Sequence, residues 1–285
     1  MTKDITTLVE DIYNLFDDET VPDIDVVTEH VNTFCLEVGK QLVSSLFEDR
    51  KKDNNLRLSA IGKPNRQLWY KINSIEKAEP LQPSTKIKFL YGHILEELLL
   101  FFTKVSGHTV EGTQKELDIS GVKGHQDAVI DGVLVDCKSA SGRGFEKFKY
   151  NKVVEDDPFG YIPQISAYAE ANGLDKAAFL AIDKSTGEIC LTPVHSLEMI
   201  NAKDRVDYLK KMVVSPDMPD RCYSDIPDGK SGNHKLAVGC VYCDYKQSCW
   251  SDANGGKGLR VFKYSQNKRY LTQVGREPDV EEVNS

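Results

Sequence analysis

The 285-residue chain is short of several things. No apolar run approaches the roughly 20 residues of a membrane-spanning helix, which sets aside a helical membrane protein. The first stretch, MTKDITTLVEDIYNLFDDE, is acidic and periodic, unlike a secretory leader. A cationic excess is also missing: 36 Lys and Arg stand against 44 Asp and Glu, a net charge of −8. Such a chain does not coat polyanions at large, so nucleic acid would have to be met in a local basic groove. The seven cysteines are odd in number and clustered late, which argues against a secreted disulfide framework and for a reducing, cytoplasmic setting. What is present is 40% hydrophobic residues, enough for one large domain or one domain plus a small lobe.

The most informative stretch is GHQDAVIDGVLVDCKSAS, residues 124–141. Asp131-Gly132 is a two-residue hairpin signal of the type I′ kind. Alternation along the following strand puts Val133, Val135 and Cys137 on one face and Leu134, Asp136 and Lys138 on the other. If Ile130 pairs with Val133, Asp127 falls opposite Asp136, with Cβ atoms about 4.5–5.5 Å apart. Two carboxylates at that spacing repel, and a hard divalent cation such as magnesium relieves the repulsion through oxygen ligands. Lys138, two residues on, is placed to hold a water or a phosphate oxygen beside such a metal. These are the parts of metal-assisted phosphodiester hydrolysis. The ordinary alternative is a solvated polar strand face, and Asp-x-Lys alone carries almost no information.

Helical spacing predicts helices over 4–16, 28–50 and 84–106. In the second, Val31, Phe34, Val38, Leu42 and Leu46 form the apolar stripe, Thr28 is the expected N-cap and Cys35 is expected to pack in the core. Arg50-Lys51-Lys52 at its end reads as a solvated run that suits the helix dipole. In the third, capped by Ser84 or Thr85 and ended by Gly107, the apolar face is Ile87, Leu90, Tyr91, Ile94, Leu98, Phe101 and Val105. Glu97 falls on a polar stripe and reads as solvated. Glu96 sits among leucines with Gly92 a turn before, a costly place for an acid unless it binds something. Strands are expected over 109–118, 121–130, 133–138, 177–182 and 188–193, with a helix over 161–172 ended by Gly173 and an outer helix over 196–213. This alternation predicts a mixed α/β sheet.

Gly124-His125-Gln126-Asp127, a short hairpin, then Asp136-Cys137-Lys138 resembles the core of the PD-(D/E)xK nuclease superfamily. More closely it resembles the RecB-type branch, which includes CRISPR-associated and phage-encoded exonucleases. Ser59, Ile61, Gly62, Arg66, Leu68, Trp69 and Tyr70 match a further segment of that branch, and Gln164-x-x-x-Tyr168 matches another. The resemblance implies a restriction-endonuclease-like mixed sheet flanked by helices over 57–215, N-terminal helices over 1–56 and a small cysteine-bound metal lobe over 216–285. It implies Mg2+ or Mn2+ held by Glu96, Asp127, Asp136 and the backbone carbonyl of Cys137, with Lys138 activating water. His93 is the other candidate for the place of Glu96, which is preferred because an all-oxygen set suits magnesium. Gln164, Tyr168 and Arg66 are expected along the DNA path. Lys147, Lys149 and Lys152 are expected either on phosphates or on a solvated face. The implied activity is a DNA exonuclease acting on ends or single strands in recombination, repair or phage DNA metabolism, in the host cytoplasm if phage-encoded. The rivals are an endonuclease, a CRISPR-adaptation-type processing nuclease and a non-catalytic DNA-binding subunit.

Cys240-x2-Cys243-x5-Cys249, with Cys222 upstream, is metal-ligand spacing. The resemblance implies a [4Fe–4S] cluster whose fourth ligand comes from the N-terminal side, where this chain has Pro64. Cys222 is expected to replace it, and a local four-cysteine site equally suits Zn2+. Tyr242, Tyr245, Lys246 and Trp250 are expected to pack around that loop, or to stack on a single strand. Cys137 and Cys190 are expected to pack in the sheet, and the last ten or so residues to be poorly ordered.

Overall fold

A computed structural model describes residues 3–17, 21–47, 54–73, 82–265 and 267–283. The Arg50-Lys51-Lys52 run lies outside the described residues. The helices are α1 (Leu8–Asn14), α2 (Ile24–Phe47), α3 (Asn65–Asn73) and α4 (Pro83–Val105). Strands β1 (Val110–Glu111), β2 (Glu116–Ile119), β3 (Val122–His125), β4 (Ala128–Ile130) and β5 (Val133–Ala140) follow. Then come α5 (Arg143–Lys149), α6 (Tyr161–Asn172), β6 (Ala177–Asp183), β7 (Ile189–Val194) and α7 (Ala202–Val214). The chain divides into two compact units, 1–62 with 81–210, and 63–80 with 211–285. Among the described residues no helix is long and apolar enough to cross a membrane.

In the first unit a mixed sheet runs β1-β4-β5-β6-β7. Its β5–β6 pair is parallel and the other pairs are antiparallel. The crossover between the parallel strands carries α5 and α6, as a parallel pair requires. Asp131 and Gly132 take φ of 48° and 80°, the left-handed pair of a type I′ turn. The hairpin then pairs Ile130 with Val133 and Ala128 with Val135, the expected register. Because β5 is central, both its faces are covered, and Leu134 to Cys137 are buried without interruption. One face packs on α1 and α4, where Val135, Cys137, Leu180 and Ile182 meet Leu8, Ile12, Leu99 and Leu100. The mixed sheet flanked by helices is the fold class the sequence predicts.

Several local expectations fail. Helix α4 lies between the sheet and α2, so apolar residues surround it. Its fully buried positions are Leu99, Leu100 and Thr103 on the sheet side, while Ile87 and Tyr91 of the predicted face are exposed. Phe101 of that face instead meets Phe34 of α2, ring centroids 5.6 Å apart. Helix α2 starts at Ile24, ahead of Thr28, and buries no side chain fully. Leu42 and Leu46 of its stripe are exposed, and so is Cys35, contrary to expectation. Pro83 opens α4 behind Gln82, ahead of Ser84 and Thr85, because proline at the first helical position is preorganised for the turn.

The predicted strand over 121–130 is interrupted at Gln126 and Asp127. Beyond that break β2 and β3 pair with each other as a separate hairpin. The second unit holds a further sheet, β12-β10-β11-β9-β8 (Ile226–Pro227, His234–Lys235, Arg260–Lys263, Lys268–Gln273 and Glu282–Val283 for β8 to β12). Its last strand corrects the expected disorder of the tail. Glu282 pairs with Phe262, and the Arg260 guanidinium binds both Glu277 and Glu282.

A hydrogen-bond network around the buried His108 ring ties the chain start to the hairpin turn. The His108 ring is inaccessible, with Nδ1 2.6 Å from Asp131 Oδ2 and Nε2 3.0 Å from Asp11 Oδ2. Lys3 closes the network at 3.0 Å from Asp11. Removing one partner of a buried hydrogen bond leaves the other unsatisfied, at a cost of about 1–3 kcal/mol. His108→Ala is therefore expected to lower the unfolding free energy by that amount, seen as a lower urea midpoint at an unchanged m-value in a denaturant titration.

Candidate active site

The site forms where β5 passes the break at Gln126-Asp127. Asp127 lies just outside the paired residues of β4, and its Oδ2 accepts from the Cys137 backbone N–H at 2.7 Å. Asp136, on the opposite face of β5 from Cys137, is 1% exposed. The Lys138 ammonium sits directly against Asp136 Oδ2, and Gln164 Nε2 of α6 donates to Asp136 Oδ1 at 3.1 Å. Glu96 comes from α4, largely buried, with Gln114 Nε2 donating to its Oε1 at 2.6 Å. His93, one turn earlier, holds its Nδ1 3.9 Å from Glu96 Oε2 and is the more exposed of the two. Gly92 lies beside β5, where a Cβ would stand 3.7 Å from Ser139 Oγ, an ordinary contact distance.

The electrostatics follow from crowding three acids where little water reaches. Burial, then the Asp136 and Glu96 charges, push the Asp127 carboxyl well above the usual carboxylate range. Burial also raises Asp136, with Lys138 opposing it. For Lys138 burial works against the ammonium, but Asp136 and Asp127 more than offset it and its pKa is raised. The Lys138 ammonium also lies 4.9 Å from the centroid of the Tyr161 ring, a cation–π contact. Glu97 is not solvated as expected. It is half-buried, and burial with the nearby Glu96 and Glu37 charges raises its pKa.

Glu96, Cys137 and Lys138 line an open cleft of about 950 Å3. Arg57, Lys88 and Lys184 add positive charge to its walls, and Phe89 and Tyr161 add aromatic surface. This is the local basic groove that an acidic chain needs to meet a polyanion. The donor set is chemically of the kind a hard divalent cation takes, clustered carboxylates, with Asp136 Oδ2 buried and contacted by the Lys138 ammonium. Among the described residues no group of three or more His, Cys, Asp or Glu already stands in metal-holding geometry. Gln114 holds Glu96 and the Cys137 amide holds Asp127, so a cation would have to compete with these donors.

The other predicted residues fall in several places. Gln164 reaches the site through Asp136. Tyr168 is 2% exposed and packs under Gly124, so it supports the site from beneath and does not face a substrate. Lys147 is ion-paired with Asp156, and Lys149 with Glu188. Arg66 belongs to the second unit, where its guanidinium donates to the Pro219 carbonyl at 2.9 Å. There Cys222, Cys240, Cys243 and Cys249 line one cavity together with Pro64 and Arg66. Burial raises the thiols of Cys240 and Cys243, the latter to about 11. Arg221 stacks on Trp250, 4.1 Å from the ring centroid, and donates to the Cys249 carbonyl. Tyr245 stacks on Tyr70. Of the two remaining cysteines, Cys137 is buried and Cys190 half-buried, and both sit in the first unit's sheet.

Sequence reasoning missed Gln114, Tyr161, Arg57, Lys88 and Lys184. None sits in a patterned motif. Gln114 acts from a left-handed turn position, φ 54°, that no hydrophobic period marks.

No family model and no curated protein matches the chain. Among solved structures, SSO0001 is similar at 15% identity and a TM-score of 0.42, covering 75% of this chain and 94% of that one. A phage-related exonuclease from Haemophilus somnus 129PT is similar at 14% identity and a TM-score of 0.38, covering 56% and 90%. An alkaline exonuclease from Laribacter hongkongensis is similar at 13% identity and a TM-score of 0.37, covering 61% and 88%. At identities and TM-scores this low the likeness bears on neither substrate nor mechanism.

Proposed function

We propose that the chain is a divalent-metal-dependent DNA nuclease that hydrolyses phosphodiester bonds, acting as an exonuclease on DNA ends or single strands. The observation that carries the reading is the convergence of Glu96, Asp127 and Asp136 on Lys138 at the wall of a basic cleft. A scaffold that merely bound DNA would have no use for buried, mutually repelling acids.

In this reading Glu96, Asp127 and Asp136 hold Mg2+ or Mn2+. The metal, when bound, offsets their charge and makes a bound water more acidic. Lys138 orients the attacking water and stabilises the negative charge that develops on the phosphoryl oxygens. Gln164 keeps Asp136 in its rotamer, and Tyr161 steadies the Lys138 ammonium. Arg57, Lys88 and Lys184 meet neighbouring phosphates without reading sequence. Water forms a bond to phosphorus and gives up a proton, the P–O ester bond breaks, and the leaving ester oxygen takes up a proton, so one phosphodiester becomes a phosphate monoester and a hydroxyl.

For the second unit we propose a structural metal at Cys222, Cys240, Cys243 and Cys249. Support comes from the four sulfurs lining one cavity, and from Pro64 on that wall where the resemblance places a cysteine. The proposed occupant is a [4Fe–4S] cluster, with Zn2+ as the alternative.

Three experiments test these assignments. End-labelled linear DNA in magnesium is expected to be degraded while closed circles survive, with EDTA abolishing the reaction and Lys138→Ala lowering kcat by about 10²–10³-fold. Cleavage of circles would replace the exonuclease by an endonuclease, and binding without cleavage in any metal would sink the catalytic reading.

The second concerns Asp127. Its raised pKa means the folded chain keeps a proton that the unfolded chain has already lost. The resulting stabilisation is present at low pH and is lost as pH rises through the raised value. Asp127→Asn is therefore expected to raise the melting temperature of chelator-treated protein at neutral pH by about 2–4 °C while abolishing hydrolysis. A lower melting temperature would contradict the like-charge account.

The third is metal analysis of purified protein with visible absorption. Iron with a visible band supports the cluster, and colourless zinc the alternative. Either metal is expected to be lost in Cys243→Ser, with a lower melting temperature.

A further inference from the structure

The first unit has a second cavity, about 240 Å3, that shares Ser139 and Tyr161 with the catalytic cleft. It is larger than the roughly 30 Å3 share of a single water and smaller than the roughly 300–1,000 Å3 of a site for a whole drug-sized ligand. Its walls are mainly apolar: Phe148, Val153, Pro158, Phe159 and Tyr161. Three of these form a row of rings, with Tyr161 5.8 Å from Phe148 and 5.5 Å from Phe159 between centroids. One end of the row is buried in Phe148. At the other, Phe159 is 63% exposed. The polar edge is the Lys147–Asp156 pair, 2.6 Å apart.

The exposed ring is held in place by its backbone. Asp157 Oδ1 accepts from the Gly160 and Tyr161 amides and its Oδ2 from that of Ile162, each at 2.8 Å. Gly160 takes φ 78° and rests against Gly62 so closely that a Cβ on it would stand 2.5 Å from the Gly62 backbone. The loop carrying Phe159 is thus preorganised, and a ligand does not have to order it on binding.

We infer that this cavity takes one unstacked nucleobase of the strand whose phosphate lies at Lys138. The inference rests on the nuclease reading and specifies its substrate: a strand single at that point, or an end frayed to free one base. Ring-lined, mainly apolar walls with one polar edge suit an occupant with aromatic faces and polar edge atoms, which describes a base and not a phosphate. Lys147 is already paired with Asp156, so the cavity offers no unpaired cation for a phosphate. Continuity through Tyr161, whose ring faces both Lys138 and Phe159, places base and scissile phosphate on one strand. Base–aromatic stacking tolerates any of the four bases, because each has a π-face, so no sequence preference is required.

The test separates binding from hydrolysis. Lys138→Ala protein is titrated with short single-stranded oligonucleotides, each with one abasic site at a successive position. One position is expected to lose about tenfold in affinity. That dependence should vanish with Phe159→Ala added and return with Phe159→Trp. Phe159 is exposed, and an unchanged melting temperature confirms that the variants fold. Affinity independent of abasic position, or a dependence that survives Phe159→Ala, overturns the base pocket. Unmodified protein is assayed for cleavage in parallel. Failure to cut overturns the nuclease reading, whereas position-dependent binding upholds the pocket on its own.

Discussion

The structure depends on a repulsion it has to tolerate. Asp127 and Asp136 are brought together at the sheet, where burial penalises their charges, and Glu96 approaches them from α4. Two like charges about 4 Å apart repel by roughly 1 kcal/mol in water and about 4 kcal/mol at the effective dielectric of a protein. The neighbouring features answer this cost. Lys138 lies against Asp136, Gln164 takes its other oxygen, the Cys137 amide takes Asp127 and Gln114 takes Glu96. Each donor makes the arrangement more tolerable.

Close backbone approaches let these pieces assemble. Gly62 against Gly160 seats the start of α6, and Gly124 gives room to Leu58 and Tyr168 beneath the site. Helix α6 then delivers Gln164 to Asp136 on one side and, through Tyr161, an aromatic wall to Lys138 on the other. The cleft wall and the ring-lined cavity are therefore two faces of one short segment, and on the proposed reading one substrate strand would bridge them.

The second unit has a different physical problem. One buried apolar cluster is built on Leu236, Trp250, Ala253 and Leu259, and Val261, Phe262 and Leu271 of its sheet are buried as well. Small cores leave little net stability, and such lobes commonly rely on staples. Ion pairs supply part of this here, through Asp228 with Lys235 and Arg269. A metal at the four cysteines would add a cross-link where Cys222, ahead of the sheet, meets the loop of the other three.

By itself the sequence determined what is local. Asp131-Gly132 dictated the turn, the turn dictated the register of β4 on β5, and alternation along β5 separated Asp136 and Lys138 from the core face. The leucines around Glu96 marked an acid in partly buried surroundings, and cysteine spacing grouped Cys240, Cys243 and Cys249. The tertiary structure decided what depends on a partner in space. It turned α4 so that Leu99, Leu100 and Thr103 meet the sheet, left Cys35 in solvent, buried Tyr168 and half-buried Glu97. It also brought Gln114 to Glu96, paired Lys147 with Asp156 and built a cavity from rings on either side of a loop. Periodicity records that a helix has an apolar face, and a helix covered on two sides has two. Which side faces the sheet, and which unpatterned side chains arrive beside a buried acid, follows from packing between segments far apart in the chain.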